Sequence, residues 1–144
     1  MVKIMSAIRD FSEDSDERLH AISTCQFMQK MNIEVILIDD NEVRLAMDTE
    51  GNRNALGTAH GGALFSLADQ AFALAANRRG EPEVAISASI NYMKPAKGRL
   101  EAVAKKIDEN NTTSVYQVIV SDGDKVVAIF QGVGYKLKRK TAKS

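Results

Sequence analysis

The chain carries one cysteine, Cys25, in 144 residues. That excludes an intrachain disulfide framework and suits a reducing cytosol. Free cysteine is usually buried and inert, so Cys25 reads as a small helix-packing residue. Net charge is also missing: 19 Lys and Arg offset 19 Asp and Glu. No overall field therefore draws the chain to nucleic acid or to an acidic membrane, and a near-neutral surface eases self-association. No apolar run approaches the ~20 residues of a membrane span. The opening MVKIMSAIRDF lacks the continuous apolar stretch of a signal peptide. Two isolated histidines and one cysteine cannot assemble ordinary zinc ligation. There is no P-loop, dinucleotide fingerprint, internal repeat, low-complexity tract or linker.

What is present fits one soluble domain with a real core: 44% hydrophobic and 26% charged residues over 144 positions. We read 1–144 as a single cytoplasmic domain, with 1–13 and the basic end 138–144 as flexible margins. The cluster Lys136, Lys138, Arg139, Lys140 and Lys143 is read as a frayed, solvated terminus rather than a phosphate-binding arm.

Residues 14–31 read as a helix capped by Asp14 or Ser15, with Leu19, Ile22, Phe27, Met28 and Met31 at helical spacing. His20 has Thr24, not a metal ligand, at i+4, and reads as a surface residue. Ile33 to Asp39 and Val43 to Met47 form a hairpin across Asp39-Asp40-Asn41. A loop over 48–60 leads into a second helix, which Arg78-Arg79-Gly80 stops with positive charge and a glycine. Four strands follow: Val84–Tyr92, Leu100–Ile107, Thr112–Val120 and Val126–Tyr135, the last two joined by a tight turn at Ser121-Asp122-Gly123-Asp124. This order predicts an α+β fold, an antiparallel sheet wrapped around one long central helix.

Chemistry concentrates in Asn54 to Asn77, NALGTAHGGALFSLADQAFALAAN. From Gly62 to Asn77, eleven of sixteen residues are apolar and surround the helix, which predicts a buried helix. Asp69 sits within it, with Phe65 at i−4, Phe72 at i+3 and Ala73 at i+4. Desolvation should raise its pKa. Such a carboxylate can serve as a general base or as a nucleophile; it can equally be a structural aspartate bonded to backbone or to Ser66. At the helix entrance, His60-Gly61-Gly62 offers unpaired N–H groups and the positive end of the helix dipole. Glycine there permits close approach of a carbonyl oxygen, as in an oxyanion hole, or simply a tight turn. Gly61 and Asp69 are eight residues apart, about 12 Å of helical rise. One reacting carbonyl needs both within ~3 Å. If both act on one substrate, two antiparallel copies must share two sites.

These residues carry a resemblance. NALGTAHGGALFSLAD, the later NYMKPAKG at Asn91 to Gly98 and the final sheet resemble the hotdog-fold acyl-CoA thioesterases, in particular the phenylacetate-degradation (PaaI) type. The likeness covers roughly 20–137, and the set Asn54, His60-Gly61-Gly62 and Asp69 is more specific than any of its parts. The resemblance implies hydrolysis of an acyl- or aryl-CoA to CoA and a carboxylic acid, with neither metal nor cofactor. It implies a homodimer or a dimer of dimers, a homotetramer. Asp69 would activate water or attack the thioester carbon, and the Gly61 amide would polarise the carbonyl. Asn54 would help hold carbonyl or water, His60 would orient the loop, and Gly62 would lie against the substrate. Ala55 stands where the family often has glycine or lysine, which bears on substrate fit. Some members position water with a serine on the strand after the helix; Ser87 and Ser89 both fit, two apart on one face. Coenzyme phosphates would meet basic side chains, for which Arg78, Arg79, Lys94 and Lys97 are available. The rivals are a hotdog dehydratase or hydratase and a non-enzymatic acyl-CoA-binding, effector-sensing domain.

Overall fold

The computed structural model describes residues 13–138, so the expectations for 1–12 and 139–144 lie outside it. Its first helix, α1, runs Ser15–Ser23 and is capped by the Asp14 carboxylate, which accepts from the N–H groups of Asp16 and Glu17 at 2.9 and 3.2 Å. The expected single helix over 14–31 is in fact two. The hydroxyls of Ser23 and Thr24 turn back onto the carbonyls of Leu19 and His20, competing with the helix ladder where it ends. After Cys25, α2 resumes as Gln26–Lys30. The break turns Phe27 outward, 48% exposed, while Met28 enters the core at 1%. His20 is exposed, as its spacing implied.

Six strands follow: β1 Glu34–Ile38, β2 Val43–Asp48, β3 Glu83–Tyr92, β4 Arg99–Glu109, β5 Thr113–Asp122 and β6 Lys125–Lys136. They pair antiparallel in the order β1-β2-β4-β5-β6-β3. The β5–β6 connection is the two-residue turn that the sequence signals, with Gly123 at φ +61. Four irregularities that no periodicity predicts interrupt the ladders, at Ile36, Ile86, Ile107 and Val127. The three isoleucines are about half exposed (48%, 58% and 58%), whereas Val127 is buried.

The sheet wraps around the long helix α3, Gly61–Asn77, as expected. Leu64, Leu67, Ala68, Ala71, Phe72 and Leu74 are buried against it. Phe72 packs between Tyr116 and Phe130, with ring centroids 5.7 and 6.0 Å away. Gly132 gives that ring its room, since a Cβ there would meet the Phe72 side chain at 2.9 Å. At the far end, the fully buried Arg18 of α1 donates to Asn77 O at 3.1 Å and Gly80 O at 2.9 Å, satisfying carbonyls that the helix leaves open.

The composition of α3 suggests burial all round, and the chain corrects that. The sheet covers one side, and α1 and α2 cover a flank where Gln70 donates to the Ile22 carbonyl at 3.4 Å. A third stripe stays open: Gly62 is exposed, and Phe65, Ser66, Asp69 and Ala73 are half-buried. Asp69 lies on that stripe rather than inside the core.

Candidate active site at the entrance of the central helix

The loop before α3 is organised by Asn54. Its side-chain carbonyl accepts from the N–H of Leu56 at 2.9 Å, the N–H of Thr58 at 3.1 Å and the Thr58 hydroxyl at 3.2 Å. Its amide donates to the same hydroxyl at 2.9 Å. The geometry is that of an Asx turn, which explains an asparagine in this place. The loop is then tied down by Ala59 N–H to Ala96 O and His60 N–H to Asn52 O, both 2.8 Å.

His60 is the N-cap of α3. Its Nδ1 accepts from the Gly62 N–H at 2.9 Å, an uncommon capping residue in the role usually given to Ser, Thr, Asp or Asn. The His60 carbonyl accepts from Ala63 N–H at 2.9 Å and Leu64 N–H at 3.1 Å. Of the four first-turn donors, three are thus used. The Gly61 N–H has no partner among the described residues. Gly61 is framed from outside by Tyr92 at the end of β3. The Tyr92 hydroxyl donates to Gly61 O at 3.1 Å, and a Cβ on Gly61 would lie 3.3 Å from the phenol ring. Sequence reading missed this tyrosine, although it lies within the NYMKPAKG stretch, because no local pattern couples residues so far apart in the chain.

Asp69 accepts no hydrogen bond among the described residues; Ser66 donates instead to the Gly62 carbonyl at 2.7 Å, which removes the expected structural partner. Burial raises the Asp69 pKa above its ordinary value, and no cation among the described residues offsets it. It stands about 12 Å along the helix from Gly61, so one chain does not bring the two together.

The other candidates divide between the helix ends. Lys94 and Lys97 are exposed on the loop that follows Tyr92 and meets the Gly61 end. Arg78 caps the opposite end, about 25 Å away by helical rise, where it donates to Asp39 O at 2.8 Å. Arg79 there pairs with Asp40. Both arginines border a pocket of about 400 Å³ in which Lys106 and Lys136 are balanced by Glu83 and Glu109. On β3, Ser87 pairs with Val133 and Ser89 with Gln131, whereas Ala88 pairs with Gly132 beneath Phe72. Strand alternation therefore sets both serines on the sheet face turned from α3, next to the Ile86 bulge, and both are exposed. Among the described residues, no helix is long and apolar enough to cross a membrane.

Comparison with known proteins decides the family. Residues 56–129 match the model of the thioesterase superfamily. The acyl-coenzyme A thioesterase PaaI of Escherichia coli K12 is 34% identical over 111 residues, 74% of this chain and 79% of that protein. The chain belongs to the thioesterase superfamily. A protein of Archaeoglobus fulgidus named as an esterase is 44% identical over 87 residues, a match spanning 58% of this chain and 56% of the archaeal one. Among solved structures, the phenylacetic acid degradation protein PaaI of Thermus thermophilus is 38% identical, with a TM-score of 0.73, covering 77% of this chain and 98% of that one. The PaaI protein of the E. coli phenylacetic acid degradation operon superposes with a TM-score of 0.78 at 29% identity, covering 90% and 97%. This thioesterase-superfamily chain thus has the expected hotdog fold, of the PaaI type.

Proposed function

We propose that this chain is a thioester hydrolase that converts an acyl- or aryl-CoA into free CoA and a carboxylic acid. The observation that carries the reading is the unpartnered Gly61 N–H at the positive end of α3, while every other first-turn donor is occupied. A thioester carbonyl oxygen placed there gains negative charge where a fixed donor and the helix dipole favour it. Asp69 of a second copy takes a proton from water, whose oxygen bonds to the carbonyl carbon. Collapse of the tetrahedral adduct breaks the C–S bond, and the thiolate leaves to be protonated. Direct attack by the carboxylate, followed by hydrolysis of the anhydride, gives the same products. The raised pKa of Asp69 makes it a stronger base than an exposed aspartate.

The second copy is part of the proposal because of the ~12 Å between donor and base. Two features favour it: the open stripe of α3, and the edge strand β3, exposed from Ala85 to Ser89. We read the assembly as a homodimer that pairs into a homotetramer, working in the reducing cytosol. In this arrangement Asn54 and His60 hold the Gly61–Gly62 turn in shape. Lys94, with Lys97, meets the coenzyme phosphates at the Gly61 end of the helix. The distance of Arg78 from that end favours a role outside the same chain's oxyanion site, and the exposed faces of Ser87 and Ser89 leave them to water or to the partner copy.

The test is thiol release across a panel of aryl-acetyl, hydroxybenzoyl and medium-chain acyl-CoAs, with Asp69→Asn alongside. Turnover on some of the panel and a loss of about 10²–10⁴-fold in the variant are expected. No thiol from any substrate, or a wild-type rate in Asp69→Asn, sinks the assignment.

A further inference from the structure

We infer that Tyr92 is a positioning residue for the oxyanion donor: it fixes the first turn of α3 so that the Gly61 N–H stays aimed outward, and its ring is why position 61 is glycine. This rests on the thioesterase reading for its catalytic consequence, but not for its structural content.

Three contacts hold the turn from His60 to Gly62. His60 N–H is held by Asn52 O at 2.8 Å, Gly62 N–H by His60 Nδ1 at 2.9 Å, and the Gly61 carbonyl by the Tyr92 hydroxyl at 3.1 Å. The first two come from the loop and cap next to Gly61 in sequence. The third is the only one of these that comes from the sheet, so it ties the turn to the rigid part of the molecule. Tyr92 is itself anchored: it pairs with Ala128 at the end of the β3–β6 ladder, and the next residue, Met93, donates to Val127 O at 2.8 Å. Its ring lies where a side chain at position 61 would begin, with Cζ at 3.3 Å and the hydroxyl at 3.4 Å from a Cβ built there. Those distances are tighter than ordinary van der Waals contact, so an alanine at this position must push either the ring or the turn. An oxyanion donor works through preorganisation, so a small rotation of this turn falls on the chemical step and not on ground-state binding.

The experiment compares wild type, Tyr92→Phe, Tyr92→Ala, Gly61→Ala and the Gly61→Ala/Tyr92→Ala pair, by kinetics and by amide NMR of Gly61 and Gly62. Tyr92→Phe keeps the ring and deletes one hydrogen bond; kcat should fall about 3- to 10-fold at unchanged KM. Gly61→Ala should lose more when Tyr92 is present than when it is combined with Tyr92→Ala, a non-additivity expected of groups in contact. The Gly62 amide, which shares its peptide with the Gly61 carbonyl, should shift in Tyr92→Phe whether or not the enzyme turns over. An unmoved Gly62 amide overturns the inference even if no acyl-CoA is hydrolysed. So does a KM rise at constant kcat, which marks a substrate contact, or strict additivity in an active enzyme. If Tyr92→Ala does not fold, Tyr92→Phe and the amide shift decide alone. Absence of turnover in wild type, with the amide shift present, counts against the thioesterase reading and not against this one.

Discussion

Mixing two inactive variants should restore activity, because the helix is too long between its donor and its base. Eight residues at 1.5 Å each separate Gly61 from Asp69 by about 12 Å, while both must come within ~3 Å of one carbonyl. The donor is best removed by Gly61→Pro, which deletes the N–H itself. Proline is favoured at the first helical position. His60, at φ −64 and ψ 137, already has the extended backbone that a residue before proline needs, and Gly61 is not at positive φ. The new Cβ meets the Tyr92 ring at 3.3 Å, so the variant adds a push on the ring or the turn to the loss of the N–H. As a homodimer this variant should lose about 10²–10³-fold, and Asp69→Asn about 10²–10⁴-fold. In a mixed dimer one site inherits both lesions and the other neither. Equal amounts exchanged to equilibrium give about half mixed dimers, each with one sound site of two, so about a quarter of wild-type activity should return. The two chains carry different affinity tags; thiol release is measured on the mixture and on mixed dimers isolated on both tags, which should show about half of wild-type activity. Tagged mixed dimers that form and stay inactive refute the shared site.

Asp69→Asn should also alter stability. Burial raises the folded-state pKa of Asp69, so the folded chain holds its proton more tightly than the unfolded chain, and stability is lost as pH rises from the ordinary value of 3.8 through the raised one. The variant should therefore melt above wild type at neutral pH, with the gap closing at acid pH; its kcat/KM profile should lack the acid limb that wild type shows above 3.8. His60→Ala should lower stability by about 0.5–2 kcal/mol through loss of the cap, and His60→Asn should restore most of it, as urea melts would show. Arg18→Leu leaves the buried carbonyl of Asn77, and the more exposed one of Gly80, without this donor and should cost about 3 kcal/mol in the same assay.

The sequence disclosed what repeats or punctuates. Alternation and tight turns located the strands, and Gly80, at φ +65, marked the end of α3. The proposed set of Asn54, His60-Gly61-Gly62 and Asp69 stood out in the sequence because each residue type is odd for its place. Hidden were features that depend on what comes to lie opposite. Arg18 looks like a surface charge until the end of α3 is laid over it. Phe27 looks like core until the Ser23 and Thr24 hydroxyls break the helix before it. The open stripe of α3 does not show in a composition that is apolar all round, since only the placement of sheet and short helices decides which side stays uncovered. Tyr92 reads as one more strand aromatic, and nothing local links it to Gly61.

The strand order has a consequence for synthesis. Helix α3 ends at Asn77, but β4, β5 and β6, which form the middle of the sheet around it, are not complete until Lys136. Its apolar face must wait for about 60 further residues, some 3–12 s at ordinary translation rates. Neither of the strands made early, β1 and β2, can substitute, because β2 reaches the sheet only by pairing with β4. The segment proposed to carry the chemistry is therefore made well before the strands that cover it.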